Sequence, residues 1–554
     1  MTNPFKALAL FTLSFVVVAL GQPARVGWLG ALAGILGFAL FFACLPPSFS
    51  KARRFLTASS WFALVQLVQL SWMTSIEFQG YYILFVYLFL SVAIGLQFGL
   101  LTLFVPRTGT IPALHLLAIA ALWTLAEWAR LFFLCGFTWA PVGLALTGIV
   151  YSLQFASLFG IFGLSFWVML TNLAALNAWR RKGGIKNWVF WLFLAGLPHF
   201  FGTAQLSYHL PRSQQRTETI KAALVQTDLL PSEKTLYPTR IHEYVSPLVQ
   251  WEWIIRELKE KIISPCDMIV LPEAAISLAS DKMLYSLHSA RAILASRLGS
   301  GIHSHFPPLS PPYAEEKTVG GSRAIYVSNL FWCQTLSNYF RAELLIGLDH
   351  TDRESEKSYN STFYFKPENG QIERYDKQVL LPLAEYLPFD WLKPLSQRYG
   401  IFDFFTPGKG AQVFGGKKIF SLSICYEETF PEIMREGKVK GAELFINVTN
   451  DNYFPNSTLH EQHLSHATLR AVENGIPLIR SCNSGVTSAI DCFGRVITRA
   501  ESSTKGVVNS HLSAYTLATP YTFWGDGCIV SCCFLILVVT AIKKYFTSLL
   551  ASLS

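Results

Sequence analysis

Three polar side chains with complementary chemistry each adjoin a short apolar run typical of a buried strand. Glu273 ends the run that starts at Met268, Cys425 ends the run that starts at Phe420, and Lys377 lies just before an apolar run. A carboxylate against an apolar strand is partly desolvated, which favours its use as a base, and a cation near a thiol favours the nucleophilic thiolate. The three residues therefore predict nucleophilic catalysis, with Cys425 as the nucleophile.

Each of these residues also has an ordinary structural explanation. Glu273 could cap a helix, Lys377 could be a solvated surface lysine, and Cys425 could be a small buried apolar residue. Taken singly, each structural explanation is favoured. The occurrence of all three beside apolar runs in one region favours the chemical interpretation.

The elements that would position these side chains belong to a region with an alternating α/β pattern. Helical patterns cover 240–263, 283–298 and 461–474, and the Pro-rich stretch 300–323 predicts an inserted loop. The pattern predicts one α/β domain of about 300 residues over 205–522. The predicted strands are 222–226, 268–272, 344–348, 419–424, 444–448 and 478–481.

The rest of the chain has the composition of a membrane protein. Of 554 residues, 51% are hydrophobic and 15% are charged, against roughly 25% charged in soluble proteins. This composition excludes a purely soluble protein and predicts transmembrane segments in 1–204 and 523–554. Eight apolar runs approach the ~20 residues that a spanning helix needs: 7–21, 26–46, 55–75, 81–105, 112–134, 152–178, 187–204 and 523–541.

The distribution of lysine and arginine predicts the orientation of these eight spans. Basic residues cluster in alternate connections, which are retained on the cytoplasmic side, so both termini are expected in the cytoplasm and 205–522 in the periplasm of a bacterium. The net charge of +9 therefore indicates membrane topology and not a nucleic-acid partner. A cleaved signal peptide over the first run remains an alternative to an uncleaved span. The basic residues are Lys6, Lys51, Arg53, Arg54, Arg107, Arg180, Arg181, Lys182, Lys186, Lys543 and Lys544.

Motifs along nearly the whole chain give a more specific indication. The order Glu273, Lys377, Cys425 resembles the nitrilase, or carbon-nitrogen hydrolase, superfamily, which uses these residue types to attack a carbonyl or nitrile carbon. With its flanking segments, the chain is similar to the bacterial apolipoprotein N-acyltransferases. The motifs that carry this resemblance are LPEAA at 271–275, YDKQVLLPLAE at 375–385, ICYE at 424–427, NVTNDNYF at 447–454, LRAVENGIP at 469–477, RSCNSGVT at 480–487, EWAR at 127–130 and GFTW at 136–139.

The resemblance implies a fold and a reaction. The fold would be about eight transmembrane helices with an extracytoplasmic α-β-β-α sandwich, in the inner membrane. The reaction would move the sn-1 acyl chain of a phospholipid onto the amino group of a diacylglyceryl-cysteine on an apolipoprotein. Cys425 would be the nucleophile, Glu273 the proton acceptor and Lys377 the oxyanion stabiliser. The supporting residues would be Glu385, Tyr426, Glu427, Asn450, Tyr453, Glu127, Arg130 and Trp139.

Three departures from the family pattern concern lipid-chain or acceptor preference. Tyr453 stands where a tryptophan is usual, Thr138 where a proline is usual, and Leu131 where a glycine is usual. Two alternatives stay open: a membrane-tethered amidase with water as acceptor, and a transporter with a large extracytoplasmic domain. The aromatic stretches 386–392 and 401–405 could dip into the outer leaflet or pack into the soluble domain.

No cofactor or metal is predicted. The histidines at 460, 463 and 466 have a regular spacing, but the family resemblance places them on a helix beside the Asn450 loop.

Overall fold

The computed structural model describes residues 4–180, 184–215, 218–236, 240–319, 321–352, 354–398 and 404–553. These residues form two compact units. A helical unit lies within 1–212, 457–475 and 517–554, and a sandwich unit lies within 213–456 and 476–516. The predicted domain boundaries near 204 and 522 stay a prediction.

Helices account for most of the first 215 residues and recur between the later strands. Shorter turns of 3-10 or π helix lie at Ala33–Gly37, Arg130–Phe132, Val142–Leu146 and Cys425–Thr429. The helices are α1 Pro4–Leu20, α2 Pro23–Leu32, α3 Phe38–Cys44, α4 Lys51–Gln69, α5 Tyr82–Thr102, α6 Ala113–Ala129, α7 Val150–Leu153, α8 Ala156–Arg180, α9 Ile185–Gln215, α10 Pro231–Lys234, α11 Pro247–Lys261, α12 Leu287–Leu298, α13 Asn329–Phe340, α14 Lys393–Arg398, α15 Pro431–Val439, α16 Leu459–Asn474 and α17 Pro520–Leu553.

Among the residues that the structure describes, six helices of the helical unit are long and apolar enough to cross a membrane. Several apolar helices in this region are therefore confirmed, whereas the predicted number of eight spans is not. The other two predicted runs coincide with α1, whose apolar part is short, and with α4, which carries three basic residues in its first turn. The six are Arg25–Cys44, Tyr82–Thr102, Ala113–Phe132, Ala156–Arg180, Ile185–Gln215 and Pro520–Ser548.

The helical unit packs around an aromatic cluster and a buried asparagine. The rings of Phe41 and Trp61 stack with centroids 4.2 Å apart, and Phe98 contacts both. Between α2 and α3, a π turn frees backbone groups, and Asn172 of α8 satisfies them. Its amide nitrogen donates to the Gly34 carbonyl at 2.8 Å, and its oxygen accepts from the Phe38 amide at 2.9 Å. A polar side chain thus replaces the missing helical hydrogen bonds.

The sandwich unit contains two six-stranded mixed sheets. In spatial order they are β15-β1-β2-β6-β7-β8 and β14-β13-β12-β11-β10-β9, and a third sheet has the order β3-β5-β4. The strands are β1 Thr219–Gln226, β2 Met268–Val270, β3 Tyr285–Ser286, β4 Ala314–Val319, β5 Ser322–Val327, β6 Glu343–Thr351, β7 Ser358–Phe365, β8 Glu373–Asp376, β9 Val413–Gly415, β10 Ile419–Ile424, β11 Leu444–Thr449, β12 Leu478–Cys482, β13 Ser488–Ile490, β14 Val496–Arg499 and β15 Gly506–Ser513.

The two large sheets pack face to face because their strands alternate the direction of their side chains. Leu224 of β1 and Ile446 of β11 belong to the core between the sheets, whereas Val225 of β1 belongs to a second core under α11, α12 and α13. On the second sheet, α15 packs against β10. This is the α-β-β-α sandwich that the resemblance implies, with all six predicted strands present.

Two sequence predictions need correction. The predicted loop 300–323 contains a 3-10 turn at Ser300–His305 and most of the hairpin β4–β5. Its side chains are largely exposed and charged, so the alternation that marks a half-buried strand is missing. The helix predicted over 240–263 is shorter in the structure, since α11 starts only at Pro247.

Candidate active site

A buried lysine lies between two carboxylates in the sandwich unit. Lys377 Nζ is 2.8 Å from Glu385 Oε1 and 3.4 Å from Glu273 Oε1, and the lysine side chain is only 1% exposed. The amide of Asn360 joins the same carboxylates, donating to Glu273 Oε1 at 2.7 Å and to Glu385 Oε1 at 3.0 Å. Burial alone would lower the pKa of Lys377, but Glu273, Glu385 and Cys425 raise it well above its ordinary value. The lysine is therefore a permanent cation.

Neighbouring strand ends bring these groups together. Glu273 follows β2, Asn360 lies on β7, and Lys377 immediately follows β8, where its amide donates to the Asn360 carbonyl at 2.9 Å. Glu385 reaches back from the following turn, and its second oxygen accepts from the Leu381 amide at 2.8 Å. The sheet order β2-β6-β7-β8 thus sets the spacing of the site.

Cys425 directly follows β10 in a strained backbone conformation. Its φ of 53° lies in the left-handed region, which is uncommon for a residue with a side chain and is often found at functional sites. The carbonyl oxygen of Cys425 accepts a hydrogen bond from the Asn447 side chain at 3.3 Å. The turn Cys425–Thr429 then redirects the chain away from the strand.

The charges around Cys425 favour a protonated resting thiol. Burial raises the pKa of the Cys425 thiol well above its ordinary value, and the negative charge of Glu273 raises it further. The positive charge of Lys377 opposes this shift. A thiol in this state needs a base when it attacks, and Glu273 is a carboxylate that interacts with it electrostatically.

Glu427 links the turn at Cys425 to the segment after Lys377. Its carboxylate accepts from the Ile424 amide at 2.8 Å, the Val379 amide at 3.1 Å and the Tyr375 hydroxyl at 2.9 Å, and from the Gln378 amide. The residue is fully buried, so it is not a solvated surface carboxylate. Burial raises the pKa of Glu427 to about 7, against the lowering effect of its hydrogen bonds.

The other predicted supporting residues of this unit border the same region. Tyr426 is buried with its ring 5.0 Å from that of Phe430. Asn450 accepts a hydrogen bond from the Asn483 side chain at 2.9 Å, which fixes the loop after β11. Tyr453, farther along that loop, is 43% exposed and therefore accessible to a ligand.

A buried arginine forms a second charge cluster that sequence reasoning missed. Arg480 Nε lies 2.7 Å from Glu428 Oε1, and its Nη2 lies 4.0 Å from Asp451 Oδ2. Glu428 is three residues after Cys425, and Asp451 adjoins Asn450, so Arg480 stabilises both segments. In the sequence, Arg480 was noted only as part of the RSCNSGVT motif. A single sequence does not indicate which side chains form ion pairs with it.

The predicted residues of the helical unit make local contacts. Glu127 accepts from Trp123 Nε1 and from the Val142 amide, both at 2.8 Å, and Arg130 donates to Gln97 at 2.9 Å. Trp139 is buried, with its ring 5.3 Å from Trp72 and 5.2 Å from the His466 ring. These residues lie within the helical unit, and their functional assignment stays a prediction.

Two of the three histidines of α16 pack against an aromatic side chain. His460, His463 and His466 are buried, and the rings of His463 and His466 contact Trp139 edge-on. Within the described ranges, no group of three or more His, Cys, Asp or Glu side chains could hold a metal ion.

Taken together, the sandwich unit holds a thiol, a carboxylate and a cation at the ends of strands from its two large sheets. This arrangement can form a covalent intermediate at a carbonyl carbon and stabilise the oxyanion that develops there. Sequence reasoning predicted Glu273, Lys377, Cys425 and Glu385 as site residues, and the structure brings Glu273, Lys377 and Glu385 into contact. It missed Asn360, whose side chain joins the two carboxylates, because no local pattern distinguishes a buried asparagine on a strand.

Comparisons with known proteins show what the two regions of the chain are similar to. Residues 221–521 match the family model described as carbon-nitrogen hydrolase, and residues 8–174 match the model described as apolipoprotein N-acyltransferase N-terminal domain. A protein of Chlamydia caviae named apolipoprotein N-acyltransferase is 29% identical over 545 residues, covering 94% of both chains. One of Chlamydia pneumoniae with the same name is 28% identical over 538 residues, covering 93% of both.

Among solved structures, a member of branch 10 of the nitrilase superfamily from Saccharomyces cerevisiae is 20% identical. The match covers 55% of this chain and 93% of that chain, with a TM-score of 0.34.

Proposed function

This chain belongs to the carbon-nitrogen hydrolase family, and on that premise we propose that it is an apolipoprotein N-acyltransferase of the bacterial inner membrane. It transfers the sn-1 acyl chain of a glycerophospholipid to the N-terminal amine of a diacylglyceryl-cysteine on an apolipoprotein. The single observation that carries the proposal is the buried set Glu273, Lys377 and Glu385, of which Glu273 and Lys377 interact electrostatically with the strained Cys425. Full-length relatives with that name support it.

The first half-reaction forms a thioester. Cys425 Sγ attacks the ester carbonyl carbon while Glu273 takes the thiol proton, which the raised pKa of the thiol makes necessary. Negative charge develops on the carbonyl oxygen, and Lys377 stabilises it; one such donor is worth roughly 3 to 4 kcal/mol. The carbon–oxygen bond then breaks, and Glu273 returns the proton to the lysophospholipid oxygen.

The second half-reaction uses the same groups with an amine as the nucleophile. The amine reacts in its neutral form, which is accessible because its ordinary pKa is about 8, and Glu273 takes one proton from the nitrogen as it attacks. The nitrogen attacks the thioester carbon, and Lys377 again stabilises the oxyanion. The carbon–sulfur bond breaks, and Cys425 recovers its proton from Glu273, so the enzyme is restored without a cofactor.

The supporting residues hold this geometry or receive the lipids. Glu385 and Asn360 orient Lys377 and Glu273, whereas Glu427 ties the Cys425 turn to the Lys377 segment. Tyr426 and Asn450 fix the adjacent backbone, and Tyr453 borders the acceptor path. In the helical unit, we assign Glu127, Arg130 and Trp139 to positioning the lipid donor.

We further propose eight membrane spans with both termini in the cytoplasm and residues 205–522 in the periplasm. Six helices already have suitable length and composition, and α1 and α4 coincide with the remaining two apolar runs. The alternation of basic connections supports this orientation. Phe389 and Trp391 stack with ring centroids 5.9 Å apart and are 50% and 74% exposed, which suits aromatic side chains at a lipid interface.

Trapping the acyl-enzyme tests the proposed function. Membranes containing the full chain are incubated with phospholipid carrying a labelled sn-1 chain, without acceptor. We expect label that neutral hydroxylamine removes, that Cys425→Ala lacks, and that the matched control Cys266→Ala retains. Absence of label on the folded wild-type protein would reject the acyltransferase mechanism.

A second stage distinguishes the acceptor. A synthetic diacylglyceryl-cysteinyl peptide is added to the labelled enzyme, and the products are separated. N-acylated peptide supports the transferase. Free fatty acid released at the same rate with and without peptide would favour the amidase-type alternative, in which water is the acceptor.

A further inference from the structure

A second lysine contacts the segment that carries Glu273. Lys234 ends α10, the short helix that follows β1, and its Nζ donates to the carbonyl oxygen of Ala274 at 2.8 Å. The helix is itself held by Glu233, whose carboxylate accepts from the Leu230 amide at 2.7 Å. Lys234 is therefore fixed on the residue immediately after Glu273.

The backbone that Lys234 contacts is strained and tightly packed on its other side. Ala274 has a φ of 46°, a left-handed conformation that alanine rarely adopts. Opposite Lys234, Gly347 of β6 donates to the Pro272 carbonyl at 3.1 Å, and a Cβ at Gly347 would lie 2.5 Å from the Cα of Glu273. The Glu273 turn is thus held between Gly347 and Lys234.

The charge balance of the site also involves Lys234. Three carboxylates, those of Glu273, Glu385 and Asp349, interact with one another here, and Lys377 is the cation that pairs with two of them. Burial lowers the pKa of Lys234 to about 8, while Glu273, Asp349 and Glu233 act in the opposite direction. Lys234 is therefore a cation at neutral pH that faces this group of carboxylates.

We propose that Lys234 is a positioning residue for Glu273: it holds the strained Ala274 turn and places a second positive charge beside the carboxylate that accepts the Cys425 proton. The inference rests on the roles of Glu273 and Cys425 in the proposed function. No motif predicted it, since Lys234 lies 39 positions before Glu273 in a polar segment.

The test measures the reactivity of Cys425 toward iodoacetamide as a function of pH in the full-length protein. Mass spectrometry of the peptide that contains Cys425 separates its alkylation from that of the other cysteines. The variants are Lys234→Met and Lys234→Gln, which remove the charge, and Lys234→Arg, which keeps it. Lys282→Met, at an exposed lysine of the same unit, is the matched control.

Below about pH 8, where Lys234 is charged, loss of this cation disfavours negative charge on the neighbouring groups, so the acid side of the reactivity profile should move to higher pH. We expect an upward shift of about one pH unit in Lys234→Met and Lys234→Gln, equal to a roughly tenfold lower rate on the acid side. Lys234→Arg and Lys282→Met should retain the wild-type profile.

Several outcomes would overturn the inference. One is a profile in the charge-removing variants that superimposes on the wild type, and another is a rate lowered equally at every pH, which indicates a merely structural role. An equal shift in Lys234→Arg would also overturn it. Acyl labelling is measured in parallel: a shifted alkylation profile in a protein that takes no label would support the role of Lys234 and reject the proposed function.

Discussion

Buried carboxylates are used differently in the two units of the molecule. In the helical unit, Glu473 of α16 accepts from the Ile161 amide at 2.8 Å and lies 3.0 Å from Arg470. Ile161 follows Gly160, whose φ of 64° interrupts the α8 helix. In the sandwich unit, Glu273 and Glu385 both converge on one lysine, Lys377.

Buried charge thus stabilises the fold in the helical example, whereas in the sandwich example it belongs to a reaction site. A carboxylate that satisfies a backbone amide at a helix interruption replaces a missing hydrogen bond, so it stabilises the fold directly. Two carboxylates on one buried cation carry a desolvation penalty and repel each other, so their burial is weak evidence for stability. Such a set is more typical of a reaction site.

The largest expected effect is that of Lys377→Met. The substitution removes the oxyanion partner and leaves Glu273 and Glu385 buried together without a cation. Acyl-enzyme formation should fall about a thousandfold in a single-turnover assay with labelled phospholipid. Thermal unfolding should show a loss of about 3 kcal/mol, because one partner of a buried ion pair is removed.

Lys366→Met is the matched control for that experiment. Lys366 Nζ is 2.8 Å from Glu373 Oε1, yet both side chains are about one-third exposed. We expect a stability change below about 1 kcal/mol and an unchanged acylation rate. If Lys377→Met kept a tenth of the wild-type rate, the central cation would not be the oxyanion partner.

Only some of the residues in this comparison could be predicted from the sequence. Glu273, Lys377 and Cys425 were predicted because each adjoins a local apolar run, and the strand edges then bring them together. Asn360 was not, since it joins Glu273 and Glu385 from positions 87 and 25 residues away. Contacts of that kind depend on the sheet order and leave no local pattern.

The strands and helices were also predicted only where a local pattern indicated them. Buried strands such as β2 and β6 were predicted because continuous apolar runs persist where both strand faces are covered. The hairpin β4–β5 was missed because its exposed, charged side chains match a loop. Apolar runs predicted the helices of the helical unit, but a run does not establish that its helix crosses the membrane, and α4, with three basic residues, illustrates this.

A second prediction concerns the link between the two halves of the active site. Glu427→Gln replaces an oxygen that accepts backbone hydrogen bonds with a donor group, so at least one of the amides of Ile424, Gln378 and Val379 loses its acceptor. These amides adjoin Cys425 and Lys377, so a lost hydrogen bond disturbs the position of both residues. We expect acyl-enzyme formation to slow about a hundredfold, because two buried polar groups without a hydrogen-bond partner cost roughly 1 to 3 kcal/mol each.

Glu432→Gln is the control, since Glu432 is half-exposed on α15 and pairs with Arg435 at the surface. It should acylate at the wild-type rate. Equal rates in the two variants would show that Glu427 is not needed to align the nucleophile.

A third prediction tests the structural use of charge in the helical unit. In Glu473→Gln, the amide oxygen can still accept from Ile161, but buried Arg470 loses its counter-charge. We expect a loss of about 1 to 3 kcal/mol, seen as a melting temperature lower by several degrees in detergent. The pH profile of acylation by the folded protein should stay unchanged, and a shifted profile would contradict the distinction between the units.

The smallest expected effect is a pH-dependent gain in stability in Asp349→Asn. Burial, followed by the charge of Glu273, raises the pKa of Asp349 from 3.8 to about 6, so the folded protein binds this proton more tightly than the unfolded chain. Stability from this group is therefore fully present below about pH 4 and is lost as the pH rises to 6. Asparagine does not ionise and should avoid that loss.

Relative to the wild type, Asp349→Asn should thus gain about 1 to 2 kcal/mol between pH 4 and 6 and keep that gain at pH 7. The measurement is the difference in unfolding free energy between variant and wild type at each pH. A difference that stays constant from pH 4 to 7 would mean that burial and the neighbouring charges do not raise the pKa of Asp349. The carboxylates of the sandwich unit would then be as well compensated as Glu473 is in the helical unit.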